Sequence, residues 1–503
     1  MKIISALIER LNEENILYCH WKSNQHVSDA FTGVDDIDML ISKDDILELN
    51  IILNELGYKR FKLPAKRTYM GIEDYLGYDK EQMCFVHLHL HYELTLGEKH
   101  LKGYQLPFER SVLNRRLFDT ENKIYISSHE DEMWLLIIRL AMKLRNRDYL
   151  KWIIGRNVIG VSTLREYDWL LEYMSSKVFK ERTMELFGEN ISSKLVSISS
   201  SGLDFKVIRS LKRQIAREFK AYKAYSAFGA TFTRWLRECF RVSQVLNNKL
   251  YKRPKIFRRS PISGGRLIAL LGPDGAGKST IIGIVTKKLS GVMDATGVYL
   301  GSGDGGSSLF RKPLKIIYNR MLKKGTLSRT SKRFNADGGV HHEGESKKAG
   351  AIRRLGALPW AISLSRERYR KILKAKRFRN NGYVVISDRY PQTQIPHACD
   401  GPKFLNTLNE NSSLFNTLVC SAERKCFALA EKVKPDIVII LSVSPEVALE
   451  RKPDEVDLET HKRLMDNILS LDFGENTTHV IVDANRELNE VISDVMERIW
   501  RCL

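Results

Sequence analysis

The stretch Leu271–Thr280, LGPDGAGKST, constrains this 503-residue chain more than any other. It fits the pattern G-x-x-x-x-G-K-[ST], follows the apolar run RLIALL and opens the amphipathic run KSTIIGIVTKKL. Strand, glycine-rich turn and helix in that order form a cradle for phosphate groups. Gly272, Gly275 and Gly277 let backbone N–H groups turn inward, and the helix N-terminus adds its positive dipole end. In such a cradle Lys278 reaches the outer phosphates, and Ser279, with Thr280 beside it, offers a hydroxyl to Mg2+. Asp274 is out of keeping, because two like charges ~4 Å apart repel by about 1 kcal/mol even in water.

The surrounding sequence alternates buried strands with helices. RLIALLG, YVVIS, DIVIILSV and HVIVDA are short, β-rich and nearly all apolar. Such runs are expected of parallel strands covered on both faces. Helical stretches such as LSRERYRKILKAKRF lie between them. The expectation is a doubly wound α/β domain over 263–503. Ligands of such sheets lie beyond the carboxyl ends of the strands, which marks Asp388 after YVVIS.

Four segments, GPDGAGKST, VVISDRY, KPDIVIILSVSPEVALERK and VIVDANRELNEV, resemble thymidylate kinase and occur in that family's order between about residues 265 and 503. The resemblance implies a P-loop nucleoside-monophosphate-type kinase that uses ATP and Mg2+. It makes Asp274 an acceptor-orienting carboxylate. Asp388 would hold Mg2+ through water or order the attacking oxygen, and Arg389 would neutralise phosphate charge. Arg451 belongs to a basic lid, with Lys462 and Arg463 as further candidates, and either Arg366 or Arg368 to the acceptor-binding helix. The VDA segment would lie beside the adenine. The chain departs from the family at YLGSGDGGSS, which lacks the arginine expected after the second strand, in the polar insertion at 325–350, and at PQTQIPHACDGPKF after DRY. Thymidylate is the expected acceptor. A sugar or glycan-linked acceptor, or a nucleotide-gated regulator with little turnover, are the alternatives.

The other informative stretch is HWKSNQHVSDAFTGVDDIDMLIS, His20 to Ser42. Alternation along DIDMLIS places Asp36 and Asp38 on one strand face, a geometry suited to clamping Mg2+. With the small-residue turn at Lys22-Ser23, this resembles the nucleotidyltransferase superfamily. VHLHLHYEL and YISSHEDEMWLLIIRLAMKLR extend the likeness to bacterial members of it. The resemblance implies an α+β fold with a third carboxylate on the HLHLHYEL strand, where this chain places His89. His87, His89 and His91 share a strand face, with neighbours about 7 Å apart. H-x-H on a strand can also bind zinc.

Charge is concentrated between Phe205 and Ser260, with sixteen Lys or Arg against two acids, Glu218 and Glu238. Phe205, Ile208, Ile215, Phe219 and Tyr222 recur near helical spacing, which predicts amphipathic helix. The expected organisation is a nucleotidyltransferase-like domain at 1–190, a basic helical linker at 191–262 and the kinase-like domain at 263–503. Seven scattered cysteines without a C-x-x-C pair, and no long apolar run, point to the cytosol. The expected partners are a nucleotide, an anionic membrane surface through 205–260 and a second copy of the chain. Nucleic acid is not expected, because no motif for it is present.

Overall fold

The computed structural model describes residues 1–33, 35–64, 67–98, 100–246, 258–301, 347–396, 398–403, 405, 414–453 and 457–503. Most of the polar insertion, the glycine-rich run from 302 and residues 247–257 of the basic segment lie outside the described residues. The chain divides into two compact units, Met1–Arg253 and Pro254–Leu503. All seven cysteines are free thiols. No helix among the described residues is long and apolar enough to cross a membrane.

The first unit opens with helix Lys2–Glu13, whose Ile4, Leu7, Ile8 and Leu11 recur at helical spacing and are buried. Its large mixed sheet contains β1 (Tyr18–His20), β2 (Ile37–Ile41), β3 (Lys59–Lys62), β4 (Ile72–Asp79) and β5 (Cys84–His91). A separate pair, β6 (Leu94–Leu96) and β7 (Tyr104–Leu106), precedes β8 (Leu117–Asp119) and β9 (Ile124–Ile126). Across the large sheet the strands run β3-β4-β5-β2-β1-β9-β8. β5 is parallel to β2 and antiparallel to β4, so His89 is flanked in register by Asp38 on one side and Asp74 on the other.

Helix His129–Lys143 begins where the Ser128 side chain accepts from the Asp131 N–H at 3.2 Å. Met133 to Ile138 are all buried, so this helix is interior on every side. It packs against helices Ser176–Ser201 and Phe205–Glu218. Inside that packing Arg182 Nε donates to Asp131 Oδ1 at 2.8 Å, and both residues are buried. The stretch expected to begin as a linker is therefore core over Phe205–Phe219: Phe205, Ile208, Leu211, Ile215 and Phe219 are buried with the helices before them. The predicted amphipathicity is correct, but its apolar face is enclosed within the first unit.

The first strand described in the second unit is the short β10 (Ser260–Pro261), and the unit is organised around a parallel sheet. Its strands are β11 (Arg266–Leu271), β12 (Ala295–Tyr299), β13 (Val384–Asp388), β14 (Ile437–Ser442) and β15 (Thr478–Asp483). Their order is β12-β13-β11-β14-β15. All four pairings are parallel. The central strands β11, β13 and β14 are almost wholly buried, as their apolar sequences require, whereas the edge strands β12 and β15 are partly exposed. Chain order reverses at β11, and the cradle leaves its carboxyl end at that switch point.

Leu211→Ala separates core from linker. Loss of a fully buried leucine costs about 2–5 kcal/mol, so the urea midpoint of the full chain's first transition should fall clearly. A midpoint within error of wild type would return residues 205–219 to a linker role.

Candidate active site

The cradle's backbone needs its glycines at two places. Gly275 has φ 88, and a Cβ there would lie 2.9 Å from the Ala448 backbone. Gly277 has φ 78 and caps helix Lys278–Val292. Both angles fall in the left-handed region that side chains disfavour. The turn therefore closes tightly and aims the helix N-terminus into the site.

Five of the expected residues come together here. Lys278 is buried; its ammonium donates to the Pro273 carbonyl at 2.6 Å and lies 3.9 Å from Asp274 Oδ1. Burial, then the Arg389 charge, lower its pKa to about 8. Ser279 Oγ donates to Asp388 Oδ2 at 3.0 Å. Asp388 Oδ1 is buried and accepts no hydrogen bond among the described residues. A buried carboxylate oxygen left open beside a serine hydroxyl fits the donor set of Mg2+. Thr280 follows in the first helical turn and is exposed.

Asp274 does not stand alone in the loop. Arg389 Nη2 donates to Asp274 Oδ1 at 2.8 Å, and Arg389 Nη1 lies 3.7 Å from Asp400 Oδ2. Arg368 Nη2 donates to Asp400 Oδ1 at 2.7 Å, and Arg368 Nε to the Leu300 carbonyl at 2.9 Å. Arg368 is buried and Arg366 exposed, so of the two only Arg368 belongs to this charge network among the described residues. Arg389 itself sits at φ 66, an unusual conformation for a side-chain-bearing residue and a mark of a constrained site. Burial works against its charge, but Asp400 and then Asp274 raise its pKa further.

Two parts of this network were not legible in the sequence. Asp400 belongs to the segment that departs from the family pattern. There the Gln392 side chain binds the carbonyls of Ile395, Ala398 and Cys399 at 3.0, 2.9 and 3.2 Å, folding the segment into a compact loop. At the end of β12, a Cβ on Gly301 would lie 2.7 Å from Arg389 Cδ, so the glycine leaves room for the guanidinium. Arg451 is exposed and donates to the Ala484 carbonyl at 2.9 Å, in the VDA segment. Lys462 and Arg463 are exposed on helix Leu458–Leu469, beside the buried His461.

In the first unit Asp36, Asp38 and the histidines also converge. Lys22 Nζ lies 2.6 Å from Asp38 Oδ1, and His89 Nδ1 lies 3.3 Å from the same oxygen. A third carboxylate, overlooked in the sequence, comes from the neighbouring strand: Asp74 Oδ1 is 2.7 Å from His87 Nε2 and 3.1 Å from His89 Nε2. The turn after β1 holds Ser23 at φ 57, but carboxylates of this chain occupy its donors. Ser23 N–H donates to Glu166 Oε1 at 3.2 Å and Asn24 N–H to Glu132 Oε1 at 2.9 Å.

No family model matches the chain. Over 241 residues it is 26% identical to the uncharacterized ATP-binding protein YghR of Escherichia coli (strain K12), covering 46% of this chain and 86% of that protein. It is 27% identical over 239 residues to a probable thymidylate kinase of Pyrobaculum aerophilum, covering 46% of this chain and 96% of that one. A thymidylate kinase of Caldicellulosiruptor saccharolyticus is 29% identical over 133 residues, 24% of this chain and 55% of that protein. The likenesses and the strand–cradle–helix geometry agree on a P-loop kinase-like domain.

Lys278 gives this site a pH signature. In the free folded chain it loses its proton near pH 8, whereas an unfolded lysine keeps it to about 10.4. Between those values the unfolded state binds more protons, so the penalty that this buried charge places on folding is relieved as pH rises. Polyphosphate binding has the opposite trend, because it needs the ammonium. ATP, used as the probe, should bind more weakly as pH rises through about 8 and should take up a proton there. Calorimetry in two buffers of different ionisation enthalpy reads that uptake. Lys278→Met should abolish it, and uptake unchanged in the variant would assign the proton to another group.

Proposed function

We propose that the second unit is an ATP-dependent phosphotransferase of the nucleoside-monophosphate kinase type, with thymidylate as the first acceptor to test. The observation that carries this reading is the Arg389–Asp274 pair at 2.8 Å. A carboxylate in a phosphate cradle works against the donor. Bound to Arg389, its charge is offset, and it can orient an acceptor and the basic groups around that acceptor's phosphate. The ATP-binding and thymidylate kinase relatives are in keeping with this reading.

In the proposed reaction an oxygen of the acceptor forms a bond to the γ-phosphorus of ATP as the bond to the β–γ bridging oxygen breaks. ADP leaves with that electron pair. Lys278 gives up its contact with Pro273 and binds the outer phosphates, where positive charge is worth most in a water-poor site. Arg389 and Arg368, held by Asp274 and Asp400, approach the acceptor phosphate. Ser279 and Asp388 would hold Mg2+, which neutralises charge on the transferring group when bound. The transition state needs positioning and charge more than covalent help, and these residues supply both.

The missing arginine after β12 favours testing a second acceptor class, sugars or glycan-linked hydroxyls. The first unit is proposed to be nucleotidyltransferase-like but without nucleotidyl transfer, because its turn donors hold Glu132 and Glu166, and the third carboxylate, Asp74, is engaged by His87 and His89. A panel of acceptors with labelled ATP decides among the readings. Transfer to dTMP supports the first, transfer only to a sugar acceptor replaces it with the second, and tight ATP binding without any transfer makes the unit a nucleotide-gated regulator.

Asp274→Asn should leave ATP affinity unchanged or slightly better. Transfer to the true acceptor should fall about ten- to a thousand-fold, the loss of one positioned contact worth ~1.4–4 kcal/mol. ATP affinity and turnover are measured on the same preparation. Collapse of ATP binding with normal turnover per bound ATP would place Asp274 on the donor side and sink the acceptor role.

A further inference from the structure

On the sheet face of the first unit, His87 and His89 each have both ring nitrogens aimed at carboxylates. His87 Nδ1 is 2.6 Å from Asp36 Oδ1, and His87 Nε2 is 2.7 Å from Asp74 Oδ1. His89 Nδ1 is 3.3 Å from Asp38 Oδ1 and 3.9 Å from Asp36 Oδ2, while His89 Nε2 is 3.1 Å from Asp74 Oδ1. A neutral imidazole has one N–H and one lone pair, so in each ring one nitrogen would meet an oxygen lone pair to lone pair. Two extra protons would remove that repulsion but create two imidazolium charges with ring centroids 4.0 Å apart. A cation on one side of the pair would take the place of those protons and bind the ring lone pairs.

The geometry also says which side. Asp74 is buried, and its Oδ1 faces the Nε2 atoms of both rings. Metal-binding histidines commonly donate their second N–H to such a carboxylate, which sets the tautomer and the ring orientation. That leaves the Nδ1 side for an ion. Asp38 is engaged by Lys22 at 2.6 Å, whereas Asp36 is half exposed and close to both Nδ1 atoms. Donor atoms of Asp36, His87 and His89 all lie within 4.8 Å of one another.

We propose that Asp36, His87 and His89 bind one divalent transition-metal ion of the zinc class, with Asp74 orienting both imidazoles from behind. Two nitrogens and one oxygen favour such an ion over Mg2+, which prefers oxygen ligands. Three protein ligands leave a coordination position open to water or a ligand. Asp74 is a positioning residue and touches no ion.

The test uses the tag-free full chain, stripped with a chelator and titrated with Co2+ and Zn2+ in the absence of nucleotide. One Co2+ per chain should bind with the intense visible absorption of a low-coordinate site, be displaced by Zn2+ and resist excess Mg2+. Asp36→Asn, His87→Gln and His89→Gln should each weaken binding at least tenfold, and Asp74→Asn by about 10–100-fold. Asp36 is 52% exposed, so Asp36→Asn should keep the wild-type melting temperature and separates ligand loss from misfolding. No stoichiometric binding by the folded chain, displacement by Mg2+, or full affinity in both Asp36→Asn and His89→Gln would overturn the proposal.

A second, independent observation concerns helix Ala227–Leu246. Its polar side faces the first unit: Arg234 pairs with Glu98 at 2.6 Å, Arg145 with Glu238 at 2.7 Å, and Arg237 donates to the His100 carbonyl at 3.0 Å. Its apolar side faces outward, with Phe228 82%, Phe232 52%, Trp235 62% and Leu236 53% exposed. Large aromatics on a helix in a segment with sixteen basic residues and two acids match an anionic lipid surface in both apolarity and charge. We infer that this helix docks on anionic membranes. The full chain should float with vesicles containing phosphatidylserine, with a blue shift in tryptophan emission, and should detach at high salt. Phe232→Ser with Trp235→Ser should cut binding at least tenfold. Equal binding to phosphatidylcholine alone, or a vesicle-free dimer that buries Trp235, would overturn it.

Discussion

The second unit's site depends on one ion pair, Arg389 with Asp274. It brings a residue of the cradle and a residue following β13 into contact at the switch point of the sheet. Without the guanidinium, the Asp274 carboxylate would repel any phosphate that the glycines and helix dipole attract. Arg389 meets it from a left-handed backbone position and beside a glycine that leaves room for its side chain. Asp400 and Arg368 extend the pair into an alternating chain of charges. Each charge has an opposite neighbour, which is what allows several to sit partly buried.

That chain of charges also links the P-loop cradle to the part of this protein that departs from the thymidylate kinase pattern. The loop after DRY is folded on the Gln392 amide and places Asp400 behind Arg389. The divergent segment thereby contributes to the site through the position of a carboxylate. Lys278, Ser279 and Asp388 are positioned separately from it, by β11, β13 and the helix that follows the cradle.

The first unit uses the same physics differently. Carboxylates on two neighbouring strands flank the histidine strand between them, Asp38 on one side of His89 and Asp74 on the other. Asp74 is not legible along the histidine strand because it belongs to the neighbouring strand, β4. Its register opposite His89 follows from antiparallel pairing of β4 with β5, a long-range fact. The helix Phe205–Glu218 teaches a related lesson. Its amphipathic period was visible, but whether the apolar face met a core or solvent depended on helices far back in the chain.

What the sequence determined by itself was local. The glycine spacing, the apolar runs and the helix that opens at Lys278 define the cradle, because backbone conformation and strand burial follow from neighbouring residues. The alternation in DIDMLIS and HLHLH likewise set which side chains share a strand face. Only the tertiary structure decided the partners: Arg389 for Asp274, Asp400 for Arg368, Asp74 for His87 and His89, and the Ala484 carbonyl for Arg451. The reason is that ion pairs and hydrogen bonds act over a few ångströms between residues that can be more than a hundred positions apart, and sheet order and register bring such residues within reach.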